Sequence, residues 1–250
     1  MTKQRTEEWT KSYNDDYFNR QFKTPYRSTV KFCEWLEKIK IIDSESNQKI
    51  LDIGTGKGSN LYYMKKLYPN CEYLGLDINN DFVEEGNLFF KNEKIDSCKL
   101  EFGDIYKLDR EKLANKYDGI ISYQTLSWLP GYEKPLEELT KLNSNWLAFS
   151  SLFYDGLVDC KIELSEFENE STDTPSNKTF YNIYSLPKIK HFFAERGYTK
   201  FQFIPFEIDI ELAKPEHSHM QTYTEELKNG TKIQRSGPLL MSWYFIIAQK

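Results

Sequence analysis

The residues with the clearest chemical potential lie at Asp52-Ile53-Gly54-Thr55-Gly56-Lys57-Gly58, where an apolar run ends in three alternate glycines. Glycines in that pattern let a ligand approach the backbone closely, because a Cβ would collide with it or forbid the turn. The register does not suit a phosphate cradle. A dinucleotide fingerprint needs glycine at position 59, which is Ser59, and a P-loop needs Ser or Thr after Lys57, where Gly58 stands. Asp77 closes the next apolar run about twenty residues past the last glycine, the spacing of an acid that accepts the two hydroxyls of a ribose. Among the three histidines, His191 belongs to a helical run and reads as structural, whereas His217 and His219 sit in a polar loop and could act as a general base near neutral pH. The pair alone is a weak metal signature, and no metal is expected.

Acidic-x-Gly-x-Gly-x-Gly after an apolar strand resembles the first motif of class I S-adenosylmethionine-dependent methyltransferases, carried here by residues 50–58. The resemblance implies that Gly54, Gly56 and Gly58 lie under the methionyl part and ribose of S-adenosylmethionine. It also implies that Asp52 reaches the cofactor's amino group and that Asp104 accepts from the adenine amino group. Ile78, Phe102 and Ile105 would then contact the ring. The stretch from Tyr117 to Pro130 looks like the fourth motif of the same family, which makes Ser122 and Tyr123 cofactor contacts and Gln124 and Trp128 acceptor contacts. Some small-molecule members carry histidine just before that tryptophan; this chain has Ser127. The (Asp/Asn)-Pro-Pro-aromatic motif of many nucleic-acid amino methyltransferases is missing, as is a Pro-Cys dipeptide for attack on a pyrimidine.

The acceptor is less legible. Arg27 and Arg235 are candidate clamps for an anionic substrate or for the cofactor carboxylate. The words Ser151-Leu152-Phe153-Tyr154-Asp155-Gly156 and Ser236-Gly237-Pro238-Leu239-Leu240-Met241 look like those of small methyltransferases associated with bacterial surface-polysaccharide pathways. That likeness implies O-methylation of a nucleotide-linked sugar or of a capsular phosphoramidate-type group. Two other readings stay open: a cofactor-binding protein without transfer activity, and a nicotinamide-dependent oxidoreductase, which Ser59 and Asp52 disfavour.

Positioning these residues requires a particular set of elements. Strands at 49–53, 73–77, 100–102, 119–122 and 146–152 alternate with helices at 59–67, 80–90 and 135–142, which predicts an α/β fold: a Rossmann-like, mostly parallel sheet with helices on both faces, seven-stranded as the resemblance implies. Residues 1–48 read as a helical cap broken at Pro25, 49–153 as the cofactor half and 154–250 as the substrate half, all in one domain. In that last part the alternation of Val158, Cys160, Ile162 and Leu164 predicts an inserted strand and 168–178 a loop. A helix is expected from Ser185 to Gly197, and two late strands at 201–210 and 241–248 with an Asn229-Gly230 hairpin signal between them. The insertions 154–184 and 212–238 should form lids over a small substrate. A net charge of −5 without a concentrated basic block argues against a nucleic-acid partner. No apolar run reaches the length of a membrane helix, no signal-like stretch follows Met1, and the four cysteines form no CxxC pair, so a cytoplasmic chain with reduced thiols is expected.

Overall fold

The computed structural model describes residues 20–214 and 222–250. His217 and His219, and the cap aromatics Trp9, Tyr13, Tyr17 and Phe18, fall outside the described residues. In chain order the elements are α1 (Arg27–Lys38), β1 (Lys49–Ile53), α2 (Ser59–Leu67), β2 (Glu72–Asp77), α3 (Asn80–Asn92), β3 (Cys98–Phe102), α4 (Arg110–Leu113), β4 (Gly119–Tyr123), a 3-10 turn (Leu126–Trp128), α5 (Glu133–Thr140) and β5 (Trp146–Tyr154). They continue with β6 (Glu163–Glu166), β7 (Asn177–Phe180), β8 (Tyr184–Ser185), α6 (Leu186–Ala194), β9 (Lys200–Pro205), β10 (Thr222–Glu226), β11 (Lys232–Ser236), β12 (Leu239–Leu240) and β13 (Trp243–Gln249).

The central sheet runs β3-β2-β1-β4-β5-β13-β9, with the short β8 added beside the end of β5. Strands β1 to β5 are parallel, and β13 is antiparallel to both neighbours. The order steps outward from β1 to β3 and then restarts at β4, so a crevice opens beyond the carboxyl ends of β1 and β4, where open α/β sheets bind ligands. Strands β1, β4 and β5 are buried along nearly their whole length, which is why they read as unbroken apolar runs.

Each face of the sheet has its own core. Leu51, Ile120, Leu147 and Phe149 pack with Leu136 and Leu139 of α5 and with Ile189 and Phe193 of α6. Ile50, Ile121, Ala148 and Phe245 pack on the other face with Phe32 and Leu36 of α1, Leu61 and Met64 of α2 and Phe90 of α3. The helical cap therefore belongs to the second core. Residues 20–23 are also helical, and Pro25 stands in the break before α1.

The part after β5, residues 154–250, differs from its sequence reading. The expected single insertion strand is a hairpin, β6 against β7, preceded by an isolated bridge between Cys160 and Ile183. The strand expected over 201–210 ends at Pro205, which brings no N–H to the ladder. Asn229-Gly230 does form a hairpin turn, with Gly230 at φ +82° and the Leu227 N–H donating to the Thr231 carbonyl at 2.8 Å. It joins β10 to β11 within a separate three-stranded sheet, not the two late strands of the central one. Strands β10 and β11 are dominated by polar residues, so alternation had nothing to mark. No helix among the described residues is long and apolar enough to cross a membrane.

Candidate cofactor-binding site

Strand β1 delivers Asp52 and then the glycine turn into the crevice. The N–H groups of Gly54 and Thr55 both donate to the Leu76 carbonyl, at 2.8 and 3.2 Å, folding the turn back against β2. Gly54 has φ +73°, and a Cβ placed there would lie 2.3 Å from the Thr125 hydroxyl of the loop after β4. Gly58, at φ +81°, is the left-handed cap from which α2 starts, with the Phe90 ring 2.9 Å from where its Cβ would be. Gly56 is also left-handed, at φ +58°. The alternate glycines are thus set by backbone conformation and by close approach together.

Asp77, at the end of β2, holds this turn from the other side. One carboxylate oxygen accepts from the Gly56 N–H at 2.7 Å and the other from the Asn79 N–H at 2.9 Å. Burial raises its pKa, and these backbone donors oppose the rise. Each oxygen keeps a second lone pair for a ligand hydroxyl. Asn79 then caps α3, accepting from the N–H groups of Asp81 and Phe82.

Asp52 is 1% exposed, and neither of its oxygens has a hydrogen-bond partner among the described residues. Burial pushes its pKa up to about 7; the Thr55 hydroxyl and the Ile53 backbone, close by but outside hydrogen-bond geometry, temper that rise, and the Asp77 charge adds to it. A buried carboxylate without a partner is costly unless a cation meets it. The ammonium of an amino acid at the end of β1 satisfies that requirement, so the donor set fits the methionyl end of S-adenosylmethionine. On the far side of Asp77, a cavity of about 370 Å³ is lined by Ile78, Asn79, Phe102, Asp104 and Lys107 among others. Ile78, Phe102 and Asp104 come together there. Ile105 does not line the cavity; it packs against the core beneath α5 and α6.

The residues after β4 are placed differently from their sequence reading. The Ser122 hydroxyl is spent on the Ile53 carbonyl at 2.7 Å, fastening β4 to β1. Tyr123 is buried against Phe32, with its hydroxyl 3.9 Å from the Cys33 sulfur and 4.0 Å from the Met64 sulfur, so it serves the cap core. Gln124 is left-handed at φ +53°. Its N–H donates to the Ser150 carbonyl at 2.6 Å, and its amide donates to the Ser28 hydroxyl at 3.5 Å. The Ser127 hydroxyl accepts from the Leu152 N–H at 2.9 Å and pairs with the Ser151 hydroxyl, which bolts the 3-10 turn to β5. Trp128 meets the Tyr181 ring edge-on at 4.0 Å. Neither arginine proposed as an anion clamp is free. Arg27 makes a two-pronged pair with Asp209, and Arg235 donates to Glu225 across the β10–β11 hairpin at 2.5 Å. His191 is exposed on α6 beside Glu195.

A family model described as Methyltransferase domain matches residues 44–195, more than half of the chain. The chain belongs to this family, the class I S-adenosylmethionine-dependent methyltransferases. An uncharacterised protein of Rickettsia prowazekii is 34% identical over 138 residues, which are 52% of this chain and 54% of the relative. The (S)-tetrahydroprotoberberine N-methyltransferase of Eschscholzia californica is 26% identical over 156 residues, 62% of this chain and 40% of the relative. The chain thus spans about half the length of the first relative and less of the second. Among solved structures, an S-adenosylmethionine-dependent methyltransferase from Aquifex aeolicus shares the fold, with a TM-score of 0.52 at 15% identity over 95% of this chain and 98% of that one.

Within this methyltransferase domain, several residues of the site escape a sequence reading. Thr125, packed under Gly54, lies in the fourth-motif stretch without a role assigned there, and Ser150, whose buried hydroxyl has no partner among the described residues, carries no motif. Gln21 is 7% exposed and joins two elements: its amide oxygen accepts from the Ser59 hydroxyl at 3.0 Å and its amide nitrogen donates to the Tyr26 hydroxyl at 2.6 Å. Only Asn79 had a signal, an Asn just before a helical run.

Proposed function

We propose that the protein transfers a methyl group from S-adenosylmethionine to a small molecule in the crevice beyond β1 and β4. The observation that carries this reading is the buried, unpartnered Asp52 carboxylate beside a left-handed glycine turn, in a chain of the methyltransferase family. Bound S-adenosylmethionine supplies a sulfonium-activated methyl group. The chain's own work is to hold the ammonium at Asp52, the ribose at Asp77 and the adenine among Ile78, Phe102 and Asp104, and to align a nucleophile while keeping water out.

For the acceptor we favour an oxygen, on a nucleotide-linked sugar or a phosphoramidate-type group of surface-polysaccharide assembly, following the resemblance of residues 151–156 and 236–241. A hydroxyl would need a base, and His217 and His219 are the candidates; alanine at the responsible one then lowers turnover about 100-fold with cofactor affinity kept. A nitrogen acceptor is the second reading. It is favoured by the N-methyltransferase among the relatives, and a neutral amine lone pair needs no dedicated base.

The test is calorimetry with S-adenosylmethionine and with NADH, followed by mass spectrometry of a nucleotide-sugar and amine panel incubated with enzyme and cofactor. Binding of S-adenosylmethionine and one methylated product support the reading. Binding of NADH alone would overturn it, and binding with no product from any acceptor would favour a cofactor-binding protein without transfer activity.

A further inference from the structure

The first described residues of the cap touch both the start of α2 and the loop after β4. Gln21 accepts from the Ser59 hydroxyl on the first residue of α2, immediately after the glycine turn, at 3.0 Å. The Thr29 hydroxyl donates to the Asn60 side-chain oxygen on the next residue of that helix, at 2.8 Å. Ser28 receives the amide of Gln124, in the loop after β4. Gln21, Ser28, Thr29 and Ser59 are all buried, so these polar bridges lie within the fold rather than on its surface. Phe22 anchors the same segment, stacked on Phe89 of α3 at 3.8 Å and edge-on to Tyr62 of α2. The outer side is fastened differently. Arg27, the first residue of α1, forks onto Asp209, in the stretch that leaves β9 at the same carboxyl edge of the sheet.

We propose that residues 21–29 roof the cofactor crevice, with Gln21 and Arg27 as positioning residues. Gln21 seats the roof on the cofactor helix α2 through Ser59, and Arg27 fastens its free side through Asp209, so that cofactor passage in either direction requires the fork to part. The proposal rests on the reading that the crevice takes S-adenosylmethionine. Two features distinguish it from a merely structural role. The inner bridges are buried neutral hydrogen bonds, which salt leaves alone, whereas the Arg27 and Asp209 side chains are 35% and 43% exposed and form an ion pair that salt screens. A contact that simply supports the bound state slows release only; a contact that must part for passage slows capture and release together.

The experiment is stopped-flow binding of S-adenosylhomocysteine to the full chain, read by tryptophan fluorescence, with circular dichroism confirming the fold of each variant. For an exposed pair the expected change is modest: Asp209→Asn and Arg27→Gln raise both the association and the dissociation rate about three- to fivefold at low salt, while Kd moves less than twofold. High salt brings the wild type toward the same rates, and the exchanged pair Arg27→Asp with Asp209→Arg returns both rates to slow values. Gln21→Leu, which removes the inner bridge at similar volume, speeds release and makes it no more salt-dependent. A rise in dissociation alone after breaking the fork, or unchanged rates in a folded variant, would overturn the proposal. Should a single variant fail to fold, the wild-type salt series decides it, with salt-independent rates overturning it. Failure of the wild type to bind S-adenosylhomocysteine at any concentration refutes the functional reading instead, a result distinct from binding with the wrong kinetics.

Discussion

Asp52 carries a charge requirement that the rest of the described chain leaves unmet, and this has consequences for both stability and binding. Its carboxyl titrates at about 7 in the folded protein and near the ordinary aspartate value when unfolded, so its contribution to stability is present at low pH and is lost as the pH rises through about 7. Asp52→Asn should therefore stabilise the free protein against urea at pH 8, on the order of a few kcal/mol, with the gain shrinking toward pH 5. The same substitution should weaken S-adenosylmethionine binding, because the ammonium loses its counter-charge. Wild-type affinity should rise with pH up to about 7 and binding should release a proton, measurable by calorimetry in buffers of different ionisation heat; the Asn variant should release none. Asp77 acts through both of its oxygens. Asp77→Ala should cost about 1.5–3 kcal/mol of cofactor affinity, tenfold or more by calorimetry, and should also lower the melting temperature because the Gly56 N–H loses its acceptor.

At the scale of elements, the glycine turn and the loop after β4 form a single unit, since Gly54 has space only for a hydrogen where Thr125 leans on it. Gly54→Ala should push that loop away and reduce cofactor affinity by more than tenfold, with a measurable loss of stability. Gly197 offers a control. It too is left-handed, at φ +86°, but nothing lies within 4 Å of a Cβ there, so Gly197→Ala should cost only about 1 kcal/mol in thermal unfolding and leave binding intact. The β6–β7 insertion is tied to the 3-10 turn by Asn182, which is fully buried, accepts from the Ile162 N–H at 3.0 Å and donates to the Leu129 carbonyl at 2.8 Å. Asn182→Ala strands those partners in the interior and should cost about 2 kcal/mol or more by denaturant unfolding.

For the molecule as a whole, the described residues divide the work along the carboxyl edge of the sheet. Strands β1, β2 and β3 with α2 and α3 carry Asp52, the glycine turn and Asp77, while β4 and β5 carry the 3-10 turn and, with β13, the packing of the inserted β6–β7 segment. The cap belongs to both, because one short segment reaches α2 through Gln21 and Thr29, the loop after β4 through Ser28, and the stretch beyond β9 through Arg27. Removing the cap residues should therefore disturb the core as well as these bridges. Phe32→Ala, which empties a fully buried site between Tyr123 and Phe245, should destabilise the protein by about 3–5 kcal/mol in urea unfolding.

The sequence by itself determined the βα alternation, the strand that carries Asp52, the glycine turn and the position of Asp77, because each is written locally. Buried parallel strands must be apolar along their length, a tight left-handed turn must be glycine, and an acid at a strand end has a fixed spacing from that turn. Only the tertiary structure decided what the remaining polar groups do. Ser122, Tyr123, Arg27 and Arg235 have the composition of ligand contacts, but their partners, the Ile53 carbonyl, the Cys33 and Met64 sulfurs, Asp209 and Glu225, lie on other elements or across a turn. Gln21 shows the converse: nothing near it in the sequence marks it, yet folding seats it on Ser59. A hydrogen bond needs a donor and an acceptor within about 3 Å, and for residues far apart in the chain that distance exists only after the sheet and both of its cores have formed.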